Sequence, residues 1–175
     1  PHLTGSLKLA NGETVLLSGT WFDHLMKLPT GDEFSTGEQY LKSWWKVEGT
    51  WPKETVPEGV LVGKNLAQKL KVTVGSRLPY ICQDGIKAEF LVTGIVSGGG
   101  EEDGQIVGQL PMVQQALGMI GKIDTINVSA ITTPENELAR RAAENPKSLS
   151  LKEYEIWYCT AYVGSIAYQI EEVIG

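Results

Sequence analysis

Two Asx-Gly dipeptides, each lying between strand-like segments, limit the folds open to this chain more than any other feature of its sequence. Asn11-Gly12 separates two short apolar runs, and Asp84-Gly85 separates residues 78–83 from residues 86–96. Because both residues of such a dipeptide tolerate the positive φ angles of a type I′ turn, each dipeptide predicts a tight β-hairpin. We therefore expect the first half of the chain to consist mostly of strands and turns.

Helices are expected to be short in the first half and more frequent in the second. Residues 20–28 favour a short helix that Pro29 ends. Residues 105–110 and 125–130 are strand-like, and the helix between them is bracketed by Pro111 and Gly118. Strands and helices therefore alternate in the second half of the chain.

The C-terminal part of the chain is predicted to be helical. Thr133-Pro134 begins one helix, which Asn145-Pro146 ends, and a capping box formed by Ser150 and Glu153 begins another. After about residue 165, apolar residues recur at helical spacing and form one stripe: Ile166, Ala167, Ile170, Val173 and Ile174. This stripe predicts a final helix from about Ser165 onward, docked on the part of the chain in which strands and helices alternate.

Charge and hydropathy argue against two classes of protein. The 175 residues carry a net charge of −6 without a concentration of Lys and Arg, which argues against a nucleic-acid partner. No apolar run approaches the roughly 20 residues that span a bilayer, and the start lacks a signal-peptide pattern. Because the chain opens without Met and stops directly after an amphipathic stretch, we expect a soluble fragment of a longer protein.

Two glycine-rich segments lack the spacing of nucleotide-binding motifs. Only three residues separate Gly59 from Gly63, and Asn65 stands where a phosphate-binding loop has the Ser or Thr that holds magnesium. Residues 98–100 are three glycines without the strand-to-helix setting of a dinucleotide fingerprint. Together with the acidic residues 101–103 they predict a mobile surface loop and a boundary. We therefore predict neither ATP binding nor a cofactor.

The two histidines do not form a metal site or a catalytic motif in the sequence. His2 and His24 do not stand at metal-ligand spacing from a cysteine or from each other. Asp23-His24 is not accompanied by a Gly-x-Ser-x-Gly elbow, and residues 101–103 lack the ligand spacing of an EF-hand. The sequence therefore contains nothing that resembles a complete active site, and it does not predict a structural metal site.

Tryptophans are the candidate contact residues. Trp44, Trp45 and Trp51 either pack into a small core, which we favour, or form a surface that contacts a partner or an apolar substrate. Trp157 lies in a predicted helix whose aromatic residues cannot all face one narrow stripe. Some of these aromatic residues are therefore expected to meet another lobe, another chain or a membrane interface.

Three segments in the middle of the chain resemble a known family. Residues 60–70 (VLVGKNLAQKL), Val74-Gly75-Ser76 and residues 90–96 (FLVTGIV) give a strand, a short helix, a Val-Gly turn and a second strand. Their order and spacing resemble the extracytoplasmic core domain of MacB/FtsX-type ABC transporter permeases. The resemblance covers residues 57–131, whereas residues 1–56 match only loosely.

This resemblance implies an α+β fold with two lobes. Residues 1–56 plus 101–175 would form a mixed α/β lobe, and residues 57–100 a strand-rich inserted lobe. It also implies a non-catalytic domain on the extracytoplasmic side of the cell membrane, which couples ATP-driven movements to export or extraction of a lipoprotein, peptide or antibiotic. The implied partners are flanking transmembrane helices, a separate ATPase subunit or domain, a second permease and an accessory extracytoplasmic protein.

The alternative function is a secreted ligand-binding module or hydrolase with an aromatic groove. Membrane spans on both sides of this segment in the full reading frame favour the permease, whereas a signal peptide and a stop codon favour the alternative. Cys82 and Cys159 are compatible with one disulfide in an oxidising compartment or with two thiols in a reducing one. The extracytoplasmic location that the resemblance implies would permit a Cys82–Cys159 bridge.

Overall fold

The computed structural model of the chain describes residues 1–82 and 84–174. They form two compact units, Pro1–Asn127 and Val128–Gly175, which are described separately below. The first unit holds all the strands named here and the second holds three helices. The expected α+β class is therefore confirmed for the chain as a whole.

Nine strands, six α-helices and two short 3₁₀ helices, at Glu101–Gly104 and Pro146–Ser148, make up the regular structure of the described residues. The strands are β1 (His2–Leu9), β2 (Thr14–Thr20), β3 (His24–Lys27), β4 (Glu33–Thr36), β5 (Lys46–Gly49), β6 (Gly59–Gly63), β7 (Arg77–Ile81), β8 (Lys87–Ser97) and β9 (Ile106–Gln109). The helices are α1 (Glu38–Leu41), α2 (Lys64–Leu70), α3 (Leu110–Ala116), α4 (Glu137–Glu144), α5 (Leu151–Cys159) and α6 (Val163–Ile174).

Six strands of the first unit close into a barrel. Their order is β8-β6-β9-β2-β1-β7, and β7 also pairs with β8. The pairs β2–β9 and β6–β8 are parallel, and the other barrel pairs are antiparallel. The 11-residue β8 pairs with β7 through its first half and with β5 through its last residues. The short β3–β4 hairpin is a separate sheet.

Alternating side chains fill the barrel, as the pattern in β8 predicts. Phe90 and Val92 of β8 are buried in the main core, while their neighbours in the strand are less so; Val96 is buried in a second cluster with Phe22, Leu61 and Val107. The Phe90 ring stacks on Tyr80 of β7 with a centroid distance of 4.0 Å. Burial and the neighbouring Cys82 raise the pKa of Tyr80 to about 12, so its hydroxyl stays neutral inside the barrel.

Both predicted hairpins are confirmed. β1 pairs with β2 and β7 pairs with β8, in each case across a glycine with positive φ, Gly12 at 90° and Gly85 at 84°. Gln83, which was included in the strand-like segment before the second turn, lies outside the described residues. Asx-Gly turns therefore located the two hairpins correctly.

The helix predicted over residues 20–28 is wrong. Thr20 is the last residue of β2 and pairs with both His2 and Gln109, so the sheet already uses the backbone there. Residues 24–27 form β3, in which Met26 stands opposite Phe34 of β4. Pairing with β4 outweighs the weak local preference for helix in so short a segment.

The prediction of a strand at residues 125–130 is also wrong. Thr125 makes a single bridge with His2, and residues 126–136 form neither helix nor strand. The following helix begins later than Thr133-Pro134 predicted, because Asn136 caps α4 by accepting a hydrogen bond from Ala139 N at 3.0 Å.

Helices α4, α5 and α6 form the second unit around an aromatic core. Its buried residues are Ala139, Ala142, Trp157 and Tyr162, with further tyrosines packed against them. The final helix is confirmed as α6, in which Ile166 and Ile170 are half-buried. Val173 and Ile174 are 88% and 69% exposed, so the apolar stripe is only partly covered within its unit.

The two units do not coincide with the lobes implied by the resemblance. Strands from residues 57–100 share one barrel with β1, β2 and β9, because β6 pairs with β9 and β7 pairs with β1. The glycine-rich loop at residues 98–104 also lies inside the first unit instead of marking a boundary. The division falls after Asn127, beyond the last barrel strand β9 and helix α3.

None of the helices among residues 1–82 and 84–174 has the length and apolar character needed to cross a membrane.

The capping box of α5 is confirmed and should make the stability of the chain depend on pH. Glu153 accepts hydrogen bonds from Arg141 Nη1 at 2.9 Å and from Ser150 N at 3.0 Å. These contacts, that with Arg141 first, lower the pKa of Glu153 to about 2. The ionised Glu153 therefore contributes to the free energy of unfolding. This contribution is fully present above the ordinary glutamate pKa of about 4.3, and it is lost as the pH falls towards the folded-state pKa of about 2.

We expect the variant Glu153→Gln to lose less stability than the wild type when the pH falls from about 5 to 2, because Gln keeps a capping oxygen but does not titrate. Urea unfolding of the full chain at a series of pH values measures this. Glu155→Gln, on an exposed carboxylate of the same helix, is the matched control and should follow the wild type. Equal pH profiles for Glu153→Gln and the wild type would contradict the prediction.

Candidate functional site

Three segments meet at one end of the barrel because of the strand register. Thr20 of β2 pairs in parallel with Gln109 of β9, so the chain leaves both strands at the same end. Val60 of β6 pairs antiparallel with Gly108, so the loop that enters β6 lies at this end too. The residues just after β2, just before β6 and just after β9 are therefore neighbours.

These segments enclose a cavity of about 370 Å³, which we call the Trp21 pocket. Its lining residues are Trp21, His24, Glu54, Pro57, Gln109, Pro111 and Met112. The volume lies at the lower end of the range for small-molecule sites. The lining combines an apolar surface with a carboxylate, an imidazole and a carboxamide.

One wall of the Trp21 pocket is a stacked aromatic pair. The rings of Trp21 and His24 lie 4.1 Å apart between centroids at an interplanar angle of 25°. His24 Nδ1 lies 3.4 Å from Glu54 Oε1, and the Glu54 side chain is 66% exposed. The Glu54 carboxylate is therefore held near the aromatic wall while still being accessible to a ligand.

The Gln109 carboxamide is the buried polar group of the pocket. Its residue is 7% exposed, and its Nε2 donates a long hydrogen bond of 3.5 Å to Pro52 O. The cavity is lined by no Ser, Thr or Cys among the described residues. The pocket thus offers groups that bind and orient a ligand, and no hydroxyl or thiol nucleophile.

A second, more open hollow of about 590 Å³ adjoins this site and shares Glu54 with it. The backbone and side chains of residues 49–55 line it together with Asp23 and Gln39. The Asp23 carboxylate accepts a hydrogen bond of 2.9 Å from Tyr40 Oη. Two carboxylates and Lys53 therefore surround this hollow.

Three of the predicted contact residues, Trp44, Trp45 and Trp51, are divided between core and surface. Trp45 and Trp51 stack with their planes 3° apart and pack against a small core that contains Phe22. Trp44 is 58% exposed, with Lys42 Nζ 5.1 Å above its ring. The packing that we favoured thus describes Trp45 and Trp51, and Trp44 is the exposed member.

Trp157 lies in the core of the second unit and is 1% exposed. Its ring contacts Tyr168 edge-on at 5.4 Å and Tyr154 at 5.8 Å. The aromatic residues of α5 do not share one stripe. Tyr168 of α6 nevertheless contacts both Tyr154 and Trp157. Trp157 is therefore a packing residue of its own unit.

The two cysteines are free thiols in the structure. Cys82 is half-buried in the barrel unit and Cys159 is exposed on α5 in the other unit. Burial raises the pKa of the Cys82 thiol. The structure therefore contains no Cys82–Cys159 bridge, and the two residues belong to separately packed units.

Gly63 has a packing role that explains the glycine spacing in residues 59–65. Its φ of −60° is open to any residue, but a Cβ here would collide with the backbone of Glu102 and Asp103. Within the acidic loop, Asp103 Oδ1 accepts a hydrogen bond from Gly98 N at 2.9 Å. Gly63 is thus required for close backbone approach, which is a different role from cradling phosphate.

A buried carboxylate lies apart from the Trp21 pocket. Glu38 is 2% exposed, and its Oε1 lies 3.0 Å from His2 Nε2 and 3.5 Å from Thr20 Oγ1. No described group donates a hydrogen bond to its Oε2. Asn127 Nδ2, which is a donor, also lies 3.0 Å from His2 Nε2, so Nε2 would have to accept from Asn127 but donate to Glu38, and it can do only one of these at a time.

Sequence reasoning did not identify Trp21, Gln109 and Met112 as neighbours. These residues come together through the parallel β2–β9 pair, and no local pattern announces a pairing between strands so far apart in the chain. Asp23-His24 was noticed, but as a candidate for triad chemistry. Trp21 lies three residues before His24 in the sequence, but this local pattern does not indicate Gln109 or Met112 as neighbours.

No protein-family model matches the chain, and no curated protein is significantly similar to it in sequence.

Proposed function

We propose that this chain is a non-catalytic extracytoplasmic domain of an ABC transporter permease of the MacB/FtsX type. Such a domain couples movements driven by ATP to the export or extraction of a lipoprotein, peptide or antibiotic. The observation that carries the proposal is the sequence of elements β6, α2, β7 and β8, which follows the order of the family's core segment. These elements contribute three adjacent strands to the barrel.

The architecture of each unit suits a mechanical role. Closure of the barrel leaves its strands paired on both sides over much of their length, so that it resists deformation when force is applied. Helix α6 carries an apolar stripe whose last residues, Val173 and Ile174, remain exposed. A rigid body and a helix with uncovered apolar positions are the parts that a coupling domain requires.

The partners proposed with this function are transmembrane helices of the same permease, an ATPase subunit or domain, a second permease and an accessory extracytoplasmic protein. The net charge of −6 supports the expectation that nucleic acid is not among them. A secreted ligand-binding module is the second candidate, and the Trp21 pocket favours it.

Cysteine labelling of the full-length protein in its native cells tests the location. In a variant with Cys82→Ser and Cys159→Ser, Glu101→Cys places one thiol in the exposed acidic loop. We expect the protein to sediment with the membrane fraction and this thiol to react with a membrane-impermeant maleimide in intact cells, with the outer membrane permeabilised where one is present. The variant with both cysteines changed to Ser and no new thiol is the matched control for background.

Reaction only after lysis would contradict an extracytoplasmic location. Recovery of the reactive protein from the medium or the soluble extracytoplasmic fraction would contradict the permease and favour the secreted module. Lysed cells serve as the positive control, since they show that the thiol at position 101 is accessible in the folded protein.

A further inference from the structure

The Trp21 pocket carries an inference about ligand chemistry. We propose that it binds a guanidinium group on an apolar stem, which is the chemistry of an arginine side chain. This proposal holds for a transport domain and for a secreted module alike. A failure of the labelling experiment therefore leaves it standing, and its own failure leaves the permease standing.

The aromatic wall favours a flat cation. A guanidinium group stacks on an aromatic face and presents its donors in the plane, whereas an ammonium group is a compact charge with a stronger hydration shell. Trp21 and His24 both line the pocket, and their stacking holds the two rings in place. Met112, Pro57 and Pro111 supply apolar contacts for the aliphatic stem.

Two acceptors are placed for the donors of such a group. Glu54 can accept a two-point hydrogen bond from a guanidinium in addition to its 3.4 Å contact with His24, because its side chain is 66% exposed and each carboxylate oxygen has more than one acceptor position. The Gln109 carboxamide, whose Nε2 is already turned to Pro52 O, has its oxygen as the remaining acceptor. A bound ligand would cover Glu54 and exclude water from it. The ion pair between the Glu54 carboxylate and the guanidinium would then be stronger than an exposed pair.

The charges around the site support a cation over an anion. Glu54 is the carboxylate that lines the pocket, and no Lys or Arg among the described residues lines it. Lys53 lines the adjoining hollow, and the carboxylates of Asp23 and Glu54, which line it too, offset its positive charge. The net charge of −6 adds a long-range attraction for cations.

A binding experiment with matched ligands tests the proposal. The probes are N-acetyl-arginine amide and a capped Leu-Arg-Leu peptide, each compared with its citrulline counterpart, in which a neutral urea replaces the guanidinium. NMR titration of the full chain follows the indole N–H signal of Trp21, assigned with Trp21→Phe. We expect both arginine probes to shift this signal and to bind at least about fivefold more tightly than their citrulline counterparts.

The two arginine probes distinguish the source of the group. Tighter binding of the peptide than of the amino-acid amide indicates a polypeptide partner, and equal binding indicates a small molecule. Both results support a guanidinium site. Equal binding of arginine and citrulline probes, or no shift of the Trp21 signal at millimolar arginine probe, would overturn the proposal.

Variants identify the groups responsible. Glu54→Gln should weaken binding of the arginine probes by about fivefold to tenfold while leaving the citrulline probes unchanged. Glu58→Gln, in the same loop but outside the pocket lining, is the matched control. Because Trp21 also packs against the barrel core, the test rests on Glu54, whose side chain is 66% exposed and whose change we expect to leave the fold intact. Unaltered binding by Glu54→Gln would show that the carboxylate takes no part.

Discussion

Changing Trp157 to Ala is expected to lower the free energy of unfolding by about 3–5 kcal/mol, the range for removing a large aromatic residue from a core. Trp157 is 1% exposed and lies between Tyr154 of its own helix and Tyr168 of α6. A unit of this size has few other large buried side chains to hold its helices together. Urea unfolding monitored by circular dichroism measures the loss.

Two further variants make the Trp157 prediction specific. Trp157→Phe should cost much less, because a ring still fills the core and no described residue accepts a hydrogen bond from the indole Nε1 that it removes. Trp44→Ala, at a tryptophan that is 58% exposed, should change the stability by less than about 0.5 kcal/mol. A larger loss in Trp44→Ala than in Trp157→Ala would contradict the assignment of core and surface.

Changing Gly63 to Ala is expected to destabilise the barrel unit by about 3 kcal/mol, the upper part of the usual range for overpacking. The added Cβ would collide with the backbone of Glu102 and Asp103, and backbone atoms cannot turn aside as a flexible side chain can. Either β6 or the 3₁₀ turn at Glu101–Gly104 has to shift. Urea unfolding of the full chain measures the effect.

Gly104→Ala is the matched control for Gly63→Ala. Gly104 lies in the turn that contains Glu102 and Asp103. A Cβ there would have open space around it, and the backbone φ of Gly104 is not positive, so Ala fits without strain. We expect the control to stay within about 0.5 kcal/mol of the wild type. Equal stability of the two variants would show that the backbone approach at Gly63 is looser than the structure indicates.

Local signals in the sequence predicted local structure well. Asx-Gly turns located both hairpins, Ser150 with Glu153 located the start of α5, and the apolar stripe located α6. Each of these signals lies within a dozen residues of what it determines. They follow from turn geometry, capping and helical periodicity, which act over short distances along the chain.

Features that depend on distant pairing were not predictable in the same way. The expected lobes merge because β6 pairs with β9. The candidate site was missed for the same reason, since Trp21 and Gln109 meet only through a parallel strand pair. A single sequence contains no local record of such pairings. The wrong helix at residues 20–28 is a local error instead, since β4 follows β3 closely and pairs with it.

The parallel pair β2–β9 has a consequence for how the chain folds. Leu17 of β2 lies opposite Ile106 of β9. Because β9 is synthesised long after β2, this edge of β2 stays unpaired during much of synthesis. Pairing β2 with β9 closes a long loop, and the chain loses entropy before the new contacts compensate for it. This step therefore slows folding. Until then β2 and β6 present unpaired edges that other chains can join. Truncations that end before Ile106 should therefore aggregate, while the complete barrel stays monodisperse.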